Sequence, residues 1–424
     1  MFLVGAVLWP ALVSVGHAAP ENGPDNWPRM RGPEATGRGS GVRLPPQWDE
    51  AAWAWTATLP GTGNASPIVW GDRVFVVSAL PEDGSKRLTC FSATDGKRLW
   101  ERSYPGSLDA LHKQNSLATS TPAADAMGVY WLRHIDGKVL AEAVAHDGRP
   151  LWTREVGPFA GEHGFGASPA VWRDVLIVPG DSDAASFVVG LSTADGSERW
   201  RLPRDTARTA YSTPLVLETP GRGPAVVLAS MSHGLTGLDP RDGRVLWERR
   251  CFTKRTVSSP IAVSTGAMHL VLGSCGEGGG DNMLVAVRFP LADDAGEGAG
   301  KPAEPEIAWQ VDRSASPYVP TPLVAGCGVI LWGDRGVVTC VDMTTGAERW
   351  KGRVGGNFSA SPILLDGMIL NVSAEGEIVT LADGQAFEVL GRSPLGQPSR
   401  ATPAVAGGRV FIRGEQSLRA IEGR

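Results

Sequence analysis

The sequence predicts an all-β fold, an eight-bladed β-propeller of four-stranded antiparallel blades, closed by an N-terminal strand that completes the last blade. Three observations predict it. A Ser/Thr-Pro mark recurs along the chain, a turn followed by tryptophan recurs with it, and the last repeat holds only three strands. A chain of 424 residues would usually hold two or three domains. A closed array of repeats can instead form one domain.

The first mark is a small residue, then Ser or Thr, then proline, then an apolar run. It ends at Pro67, Pro122, Pro169, Pro214, Pro260, Pro322, Pro362 and Pro403. The spacing of about 40 to 60 residues is the length of a four-stranded blade. Eight marks therefore predict eight blades.

The second mark is a turn that leads into tryptophan, as in ADGSERW, which ends at Trp200. A regularly repeated tryptophan indicates a repeated packing role, and an indole buries about 150–250 Å². We predict that one set of tryptophans lies between adjacent blades as structural residues. This set comprises Trp55, Trp100, Trp152, Trp200, Trp247, Trp309 and Trp350. The seventh blade lacks the tryptophan, and the segment that begins at Phe387 stands in its place.

The sixth repeat illustrates the strands of one blade. The sequence predicts four short strands, each a run of β-branched and apolar residues that ends at a turn. They are Leu323-Val324, Val329–Trp332, Val337–Val341 and a strand that opens with Ala347–Trp350. Glycines in the intervening turns permit positive φ, and Gly346 is placed for a type I turn with a bulge.

The last repeat is incomplete at the C-terminus. After Pro403, only Ala404-Val405, Arg409–Arg413 and Ser417–Ile421 remain as strands. Near the N-terminus, the strand pattern of Ala52–Thr56 has no blade before it. We expect this segment to form the outer strand of the eighth blade, because such closure removes exposed sheet edges.

The flanking segments divide the chain further. The apolar residues at the start predict a signal peptide over 1–19 and hence export to the periplasm or cell envelope. We expect an N-terminal arm over 20–50, packed over one face, and the propeller over 51–424. The Gly/Pro/acid-rich stretch 290–306 is expected to be a flexible insertion. The net charge of −5 argues against a nucleic-acid-binding protein, which needs a basic patch.

The five cysteines form no CxxC motif, which argues against a zinc site. Cys327 and Cys340 flank the turn at Gly333–Gly336, so we expect them to face each other across a hairpin. They form either a disulfide or two buried thiols.

At this point the turn-plus-tryptophan segments, such as LSTADGSERW (191–200) and VDMTTGAERW (341–350), resemble the PQQ-type propeller repeat. This repeat occurs in quinoprotein alcohol dehydrogenases and in BamB-type propellers of outer-membrane protein assembly. NWPRMRGP (26–33), HGFGASP (163–169) and RVFIRGEQSLRAI (409–421) resemble features of exported BamB-like proteins. The resemblance specifies the repeat rather than the function.

The dehydrogenases of this superfamily stack PQQ against a disulfide of adjacent cysteines and surround Ca²⁺ with Glu, Asn and Asp. The present sequence contains no adjacent cysteine pair, and no such acid set can be assigned. Asp181, Asp183 and Glu277 are interpreted as loop residues. We therefore predict no cofactor; PQQ with Ca²⁺ belongs only to the alternative of an oxidoreductase.

The loops that lead into the innermost strands of a propeller lie at the mouth of its central channel. Convergent polar and aromatic groups there are typical of a binding site. The candidates are His112, Asn115, His163, Phe165, Arg208, Tyr211, Tyr318, Phe358 and Arg400. The competing interpretation is that these polar loop residues are simply solvated. Each histidine stands alone in its loop, so a hydrogen-bonded role is favoured over metal binding.

Three functions are compatible with this sequence. We expect a non-catalytic exported propeller, monomeric, that binds a protein or peptide as a scaffold in the cell envelope, through loop faces or blade edges. The alternatives are a PQQ- or metal-dependent oxidoreductase and a binder of small molecules or glycans at the channel mouth. No catalytic or metal residue is assigned, since GxSxG, HExxH and GxxxxGK[ST] motifs are absent from the sequence.

Overall fold

Strands follow one another in eight groups of four, and each group forms one antiparallel sheet in a computed structural model of the chain. The structure describes residues 25–108, 111–112, 114–206, 208–219, 223–265, 268–277, 281–289, 304–312 and 315–423. The predicted signal peptide and residues 290–303 of the predicted insertion lie outside these residues. The prediction of an all-β, eight-bladed propeller is confirmed.

Within each blade the strands pair in the order in which they occur along the chain, except that the outer strand of blade 8 comes from the N-terminal part. Blade 1 consists of Ile68–Trp70, Arg73–Ala79, Lys86–Ser92 and Arg98–Tyr104, and blade 2 of Ala123–Ala124, Val129–Ile135, Lys138–Val144 and Pro150–Pro158. Blade 3 consists of Ala170–Trp172, Val175–Gly180, Ser186–Ser192 and Glu198–Arg204, and blade 4 of Leu215–Thr219, Gly223–Ser230, Gly234–Leu238 and Val245–Arg249.

The second half repeats this order. Blade 5 consists of Ile261–Thr265, Met268–Cys275, Met283–Arg288 and Glu306–Val311, and blade 6 of Leu323–Ala325, Gly328–Trp332, Val337–Val341 and Glu348–Arg353. Blade 7 consists of Ile363–Leu365, Met368–Val372, Glu377–Ala382 and Val389–Pro394, and blade 8 of Ala404–Ala406, Arg409–Arg413, Ser417–Glu422 and the N-terminal strand Trp53–Thr58.

The N-terminal strand closes the ring. It pairs antiparallel with the last strand of the chain, with Trp53 opposite Ile421 and Thr58 opposite Ser417. A short 3-10 helix, Glu50–Ala52, leads into it and is capped by the Asp49 side chain. Within the described part of the chain, no helix has the length and apolar character needed to cross a membrane.

The core lies between the blades. The two middle strands of a blade face a neighbouring sheet on each side, so most of their residues are apolar and buried. In Val175–Gly180 every residue is buried, whereas exposed and less exposed positions alternate along the outer strand Glu198–Arg204. Continuous apolar runs of this kind mark strands that are covered on both faces.

The predicted tryptophans lie at the junctions between blades. Six of them donate an indole N–H to a backbone carbonyl of the next blade, at 2.8 to 3.2 Å. These bonds join Trp55 to Ala93, Trp100 to His146, Trp152 to Thr193, Trp200 to Pro240, Trp309 to Met343 and Trp350 to Gly384. Trp247 of blade 4 instead stacks on Phe289 of blade 5, with ring centroids 5.9 Å apart.

The junction between blades 7 and 8 is filled from the N-terminal arm. The backbone N–H of Trp48 donates to Ser393 Oγ of blade 7 at 2.8 Å, and the Trp48 ring lies edge-on to Trp53 of blade 8. Phe387, which the sequence puts in the tryptophan position of blade 7, packs instead on Trp350 of blade 6. The assignment of Phe387 to that position is therefore wrong, because a residue from a distant segment already occupies the junction.

The arm also pairs with inner strands of the propeller. Trp27 forms an antiparallel bridge with Val69 of blade 1, and Arg38–Gly39 pairs in parallel with the inner strand of blade 7. Arg31 is 2% exposed and donates to the carbonyls of Pro322 and Pro362. The arm therefore connects the inner edges of blades 1, 6 and 7.

Cys327 and Cys340 lie on the same hairpin, as expected. Both are free and buried, and their sulfur atoms are 2.7 Å apart.

Candidate binding site at the channel mouth

The Ser/Thr-Pro mark builds a ring of hydrogen bonds around the inner ends of the blades. In seven junctions of the described chain, the backbone N–H of the marked residue donates to the hydroxyl of its counterpart in the next blade, at 2.9 to 3.1 Å. The donor–acceptor pairs are Ser66–Thr121, Thr121–Ser168, Thr213–Ser259, Ser259–Thr321, Thr321–Ser361, Ser361–Thr402 and Thr402–Ser66. The mark is thus a structural element that also brings small polar side chains to the mouth.

The floor of the mouth is a methionine of the N-terminal arm. Met30 Sδ lies 3.8 Å from Ser66 Oγ and from Thr121 Oγ1. The loops before the inner strands form the walls. Together they enclose a cavity of about 250 Å³.

Neutral hydrogen-bonding groups dominate this cavity. Hydroxyls of the ring, the amides of Asn64, Gln114 and Asn115, and two tyrosines line it. Among the described residues that line the cavity, Arg400 is the one permanently charged residue, and none is a carboxylate or a cysteine. Such a surface can orient a ligand by hydrogen bonds.

The structure brings six of the nine sequence-predicted residues together in the lining. They are His112, Asn115, His163, Tyr211, Tyr318 and Arg400. Their loops belong to different blades and are far apart in sequence. The geometry of the ring, rather than local sequence, therefore assembles the cavity.

The other three predicted residues do not reach it. Phe165 packs edge-on to Phe159, and Phe358, which is 2% exposed, packs against Trp332. Both aromatic rings turn into the apolar core between blades, because burying an apolar ring is more favourable in free energy than leaving it exposed at the mouth. Arg208 lies outside the cavity, with its side chain 52% exposed and 3.5 Å from Glu162.

Two histidines face each other at one side of the cavity. The His112 and His163 ring centroids are 4.8 Å apart with their planes inclined by 60°. Burial, together with the positive charge of Arg255, lowers the pKa of His163. Asn115 Nδ2 donates to the His163 carbonyl at 2.6 Å and fixes this loop. His163 is therefore a neutral hydrogen-bonding group at neutral pH.

Arg255 is a residue near the mouth that the candidate set omits. Its side chain is 10% exposed and its Nη2 lies 3.2 Å from Glu162 Oε2. Sequence spacing alone could have included Arg255, since it precedes the fifth Ser/Thr-Pro mark.

Burial raises the pKa of Tyr211 to about 12 and that of Tyr318 above its usual value, so both phenols stay protonated.

The donor set does not fit calcium-bound PQQ. Ca²⁺ takes six to eight oxygen ligands, carboxylates prominent among them. None of the described residues that line the cavity is a carboxylate. Asp334 lies next to Tyr318, but its two carboxylate oxygens already accept hydrogen bonds from the backbone N–H groups of Tyr318 and Val319. Among the described residues, no group of three or more His, Cys, Asp or Glu side chains is arranged to hold a metal ion.

Both a family model and solved structures of known proteins support the propeller fold. The family model described as outer membrane protein assembly factor BamB matches residues 47–156, 118–281 and 301–424. BamB from Moraxella catarrhalis superposes with a TM-score of 0.60 at 15% identity, covering 86% of this chain and 95% of that one. No curated protein matches the sequence.

Solved enzymes share the same architecture. Quinohemoprotein alcohol dehydrogenase from Comamonas testosteroni has a TM-score of 0.62 at 13% identity, covering 94% of this chain and 81% of that one. Quinohemoprotein alcohol dehydrogenase ADHIIG from Pseudomonas putida HK5 has a TM-score of 0.59 at 12% identity, with coverage of 95% and 81%. At such identities these structures establish the fold alone.

Proposed function

Because the chain belongs to the propeller family described as outer membrane protein assembly factor BamB, we propose that it is a non-catalytic, exported propeller. It binds a protein or peptide in the cell envelope, and the mouth face is its binding surface. A rigid propeller suits this role, because loops on a fixed scaffold can form a preorganised site.

The observation that carries the proposal is the chemistry of the mouth cavity. Its floor is an apolar thioether, its walls are hydroxyl, amide and phenol groups, and none of the described residues that line it is a carboxylate. An enzyme site needs a titratable group positioned for the reaction, usually with a perturbed pKa. The titratable groups of the mouth are histidines and tyrosines that stay protonated, and we interpret the mouth as a recognition surface, in which tyrosine supplies contact area and hydrogen bonds together.

The first test measures peptide binding. Peptides selected from a display library on the purified protein are expected to bind saturably and to bind Tyr211→Ala and Tyr318→Ala at least tenfold more weakly, since buried tyrosines often dominate interfaces. Arg149→Gln is the control, because Arg149 is exposed on a turn at the opposite face. Binding that neither tyrosine variant weakens, or a failure to select any peptide, would contradict the proposed site.

The second test addresses the oxidoreductase alternative. The protein is titrated with PQQ in the presence of Ca²⁺ while its melting temperature and its oxidation of alcohols with an artificial electron acceptor are followed. We expect neither to change, because the lining lacks carboxylate ligands. A saturable rise in melting temperature would mean that the folded state binds the cofactor, and the non-catalytic proposal would then be abandoned.

A further inference from the structure

A second depression continues the mouth cavity outward between blades 8, 1 and 2, and we call it the lateral groove. Its volume is about 600 Å³. Its walls are residues 62–64, 79, 81, 108, 111, 115–117, 398–401 and 413–415. Asn64, Asn115 and Arg400 line both the groove and the mouth cavity, so the two depressions are continuous.

One wall of the groove contains a buried arginine with unused donors. Arg413 is 1% exposed, and its Nη1 donates to the carbonyls of Ala65 and Val77 at 2.8 and 2.6 Å. Its Nε and Nη2 have no hydrogen-bond partner among the described residues. Gly63, which also lines the groove, leaves room for this guanidinium, since a Cβ there would lie 2.6 Å from Arg413 Nη2. Buried donors without partners are rare and need an explanation.

Two other buried arginines of the ring are neutralised by carboxylates, whereas Arg31, equally buried, donates to backbone carbonyls. Arg133 Nε lies 2.8 Å from Glu142, and Arg204 Nε lies 2.7 Å from Asp181. Arg413 has no acidic partner in the described chain, and burial alone lowers its pKa to about 9. A buried charge is stable when it is paired and fully hydrogen-bonded. The groove therefore contains a cationic site that a bound anion would complete.

A second guanidinium is available beside it. Arg400 lies where the cavity meets the groove, and its one hydrogen bond within the described residues is to Ser359 Oγ at 3.4 Å. It forms no ion pair there. Guanidinium groups match carboxylates in shape and charge. Two of them in one depression favour a carboxylate-bearing ligand.

The opposite wall of the groove is apolar. Leu108 is 63% exposed, which is unusual for so large an aliphatic side chain, and Pro81, Leu111 and Leu117 lie beside it. Exposed apolar groups next to cationic ones suit a ligand with apolar and acidic side chains close together. A small inorganic anion would use the arginines and leave this wall uncovered.

We propose that the lateral groove binds an extended segment of a partner protein in which acidic and apolar residues are neighbours. This inference rests on the proposed function and specifies its ligand. The carboxylates contact Arg400 beside the buried guanidinium of Arg413, and the apolar side chains cover Leu108 and Leu111. Glu415, at the edge of the groove, opposes an acidic ligand and limits its affinity.

The test uses a fluorescein-labelled peptide of alternating leucine and glutamate and a matched peptide in which glutamine replaces glutamate. Fluorescence anisotropy is expected to show saturable binding of the glutamate peptide and at least tenfold weaker binding of the glutamine peptide. Arg400→Gln should weaken the glutamate peptide at least tenfold, since hydrogen bonds to charged groups are the strong ones. Glu415→Gln should strengthen it, and Arg149→Gln, on the opposite face, should leave it unchanged.

Several outcomes would overturn the inference. Equal binding of the two peptides, or unchanged binding by Arg400→Gln, would show that the arginines do not recognise the ligand. Full competition by acetate at the concentration of the peptide carboxylates would identify a small-anion site instead. Arg413→Lys keeps the charge with a different geometry and should weaken binding; if it does not fold, as judged by its melting curve, Arg400→Gln decides.

The proposed function fails separately. If library peptides bind through Tyr211 and Tyr318 but ignore Arg400 and peptide charge, the peptide-binding proposal stands and the groove inference falls. If no peptide binds at all, both fall.

Discussion

At five blade junctions, the turn glycine is in contact with the tryptophan of the preceding blade. Gly196 has φ +70, and a Cβ at this position would lie 2.6 Å from Trp152 Cε3. The same contact recurs between Trp55 and Gly96, Trp100 and Gly148, Trp200 and Gly243, and Trp309 and Gly346. The glycine of the repeated turn is thus required twice, for its backbone angle and for the indole above it.

Gly196→Ala is therefore expected to destabilise the protein by about 2 to 5 kcal/mol, the sum of the left-handed backbone penalty and the overpacking against the indole. The measurement is urea denaturation. Gly408→Ala is the matched control, because Gly408 has φ +75 but open space where the Cβ would stand. That variant should lose only the backbone part, about 1 to 2 kcal/mol. Equal losses in the two variants would mean that the indole contact is unimportant.

The turn aspartate of blade 6 makes stability depend on pH. The hydroxyl of Thr344 donates to Asp342 Oδ1 at 2.6 Å, and Arg349 pairs with Oδ2 at 2.6 Å. The Thr344 hydroxyl above all, with the Arg349 guanidinium, lowers the pKa of Asp342 well below its usual value. A carboxyl with a depressed folded-state pKa stabilises the fold above its unfolded-state pKa, near 4, and loses that contribution as the pH falls.

Asp342→Asn should consequently lower the melting temperature at pH 7 by a few degrees and have a smaller effect at acidic pH. Melting curves of the wild type and the variant between pH 7 and about pH 2 test this, and the two midpoints should converge below about pH 4. A constant difference across the range would mean that the charge of Asp342 does not contribute to stability.

At the scale of elements, the N-terminal arm completes a packing position that the repeat leaves open. Blade 7 lacks a tryptophan, and Trp48, 6% exposed, fills the junction with blade 8. Pro46 extends this contact, since its carbonyl accepts from Thr380 Oγ1 of blade 7 at 2.6 Å. The arm is therefore part of the propeller core as well as the floor of the mouth.

Trp48→Ala should destabilise the protein by about 3 to 5 kcal/mol, the usual effect of deleting a buried tryptophan. Trp48→Phe should lose less, because a ring remains against Trp53. Denaturation in urea gives the free energies, and limited proteolysis should cleave the arm faster in the alanine variant. An unchanged unfolding midpoint in Trp48→Ala would mean that the junction is stable without the arm.

At the scale of the whole molecule, the repeat could be predicted from sequence because two short marks specify every blade. In blade 6 the predicted and observed strands agree to within a few residues, and the closing strand Trp53–Thr58 lies in the expected place. Each mark has a local physical cause, a hydroxyl ring for Ser/Thr-Pro and an indole over glycine for the turn. Such causes leave a signal at every repeat.

The path of the N-terminal arm and the orientation of several loop side chains could not be predicted from the sequence. Segment 25–48 has no repeat, so nothing in its pattern indicates that Met30 would face the mouth or that Trp48 would enter a junction. Loop position likewise predicts which residues approach the channel, but not which way each side chain turns. Phe165 and Phe358 turned into the core, whereas Tyr211 and Tyr318, which carry a hydroxyl, remained at the mouth.

Closure of the ring by the N-terminal strand makes a prediction about association. Without Trp53–Thr58, the strand Ser417–Glu422 becomes an unpaired edge, and exposed edges pair with other chains. The full chain is expected to be a monomer. Removal of residues 1–58 should produce oligomers or aggregates in size-exclusion chromatography with light scattering. Removal of residues 1–49 takes away the arm but keeps the closing strand, so this matched variant should stay monomeric and only melt at a lower temperature. If both truncated proteins are monomers, strand closure does not protect blade 8; if both associate, the arm rather than the closing strand prevents association.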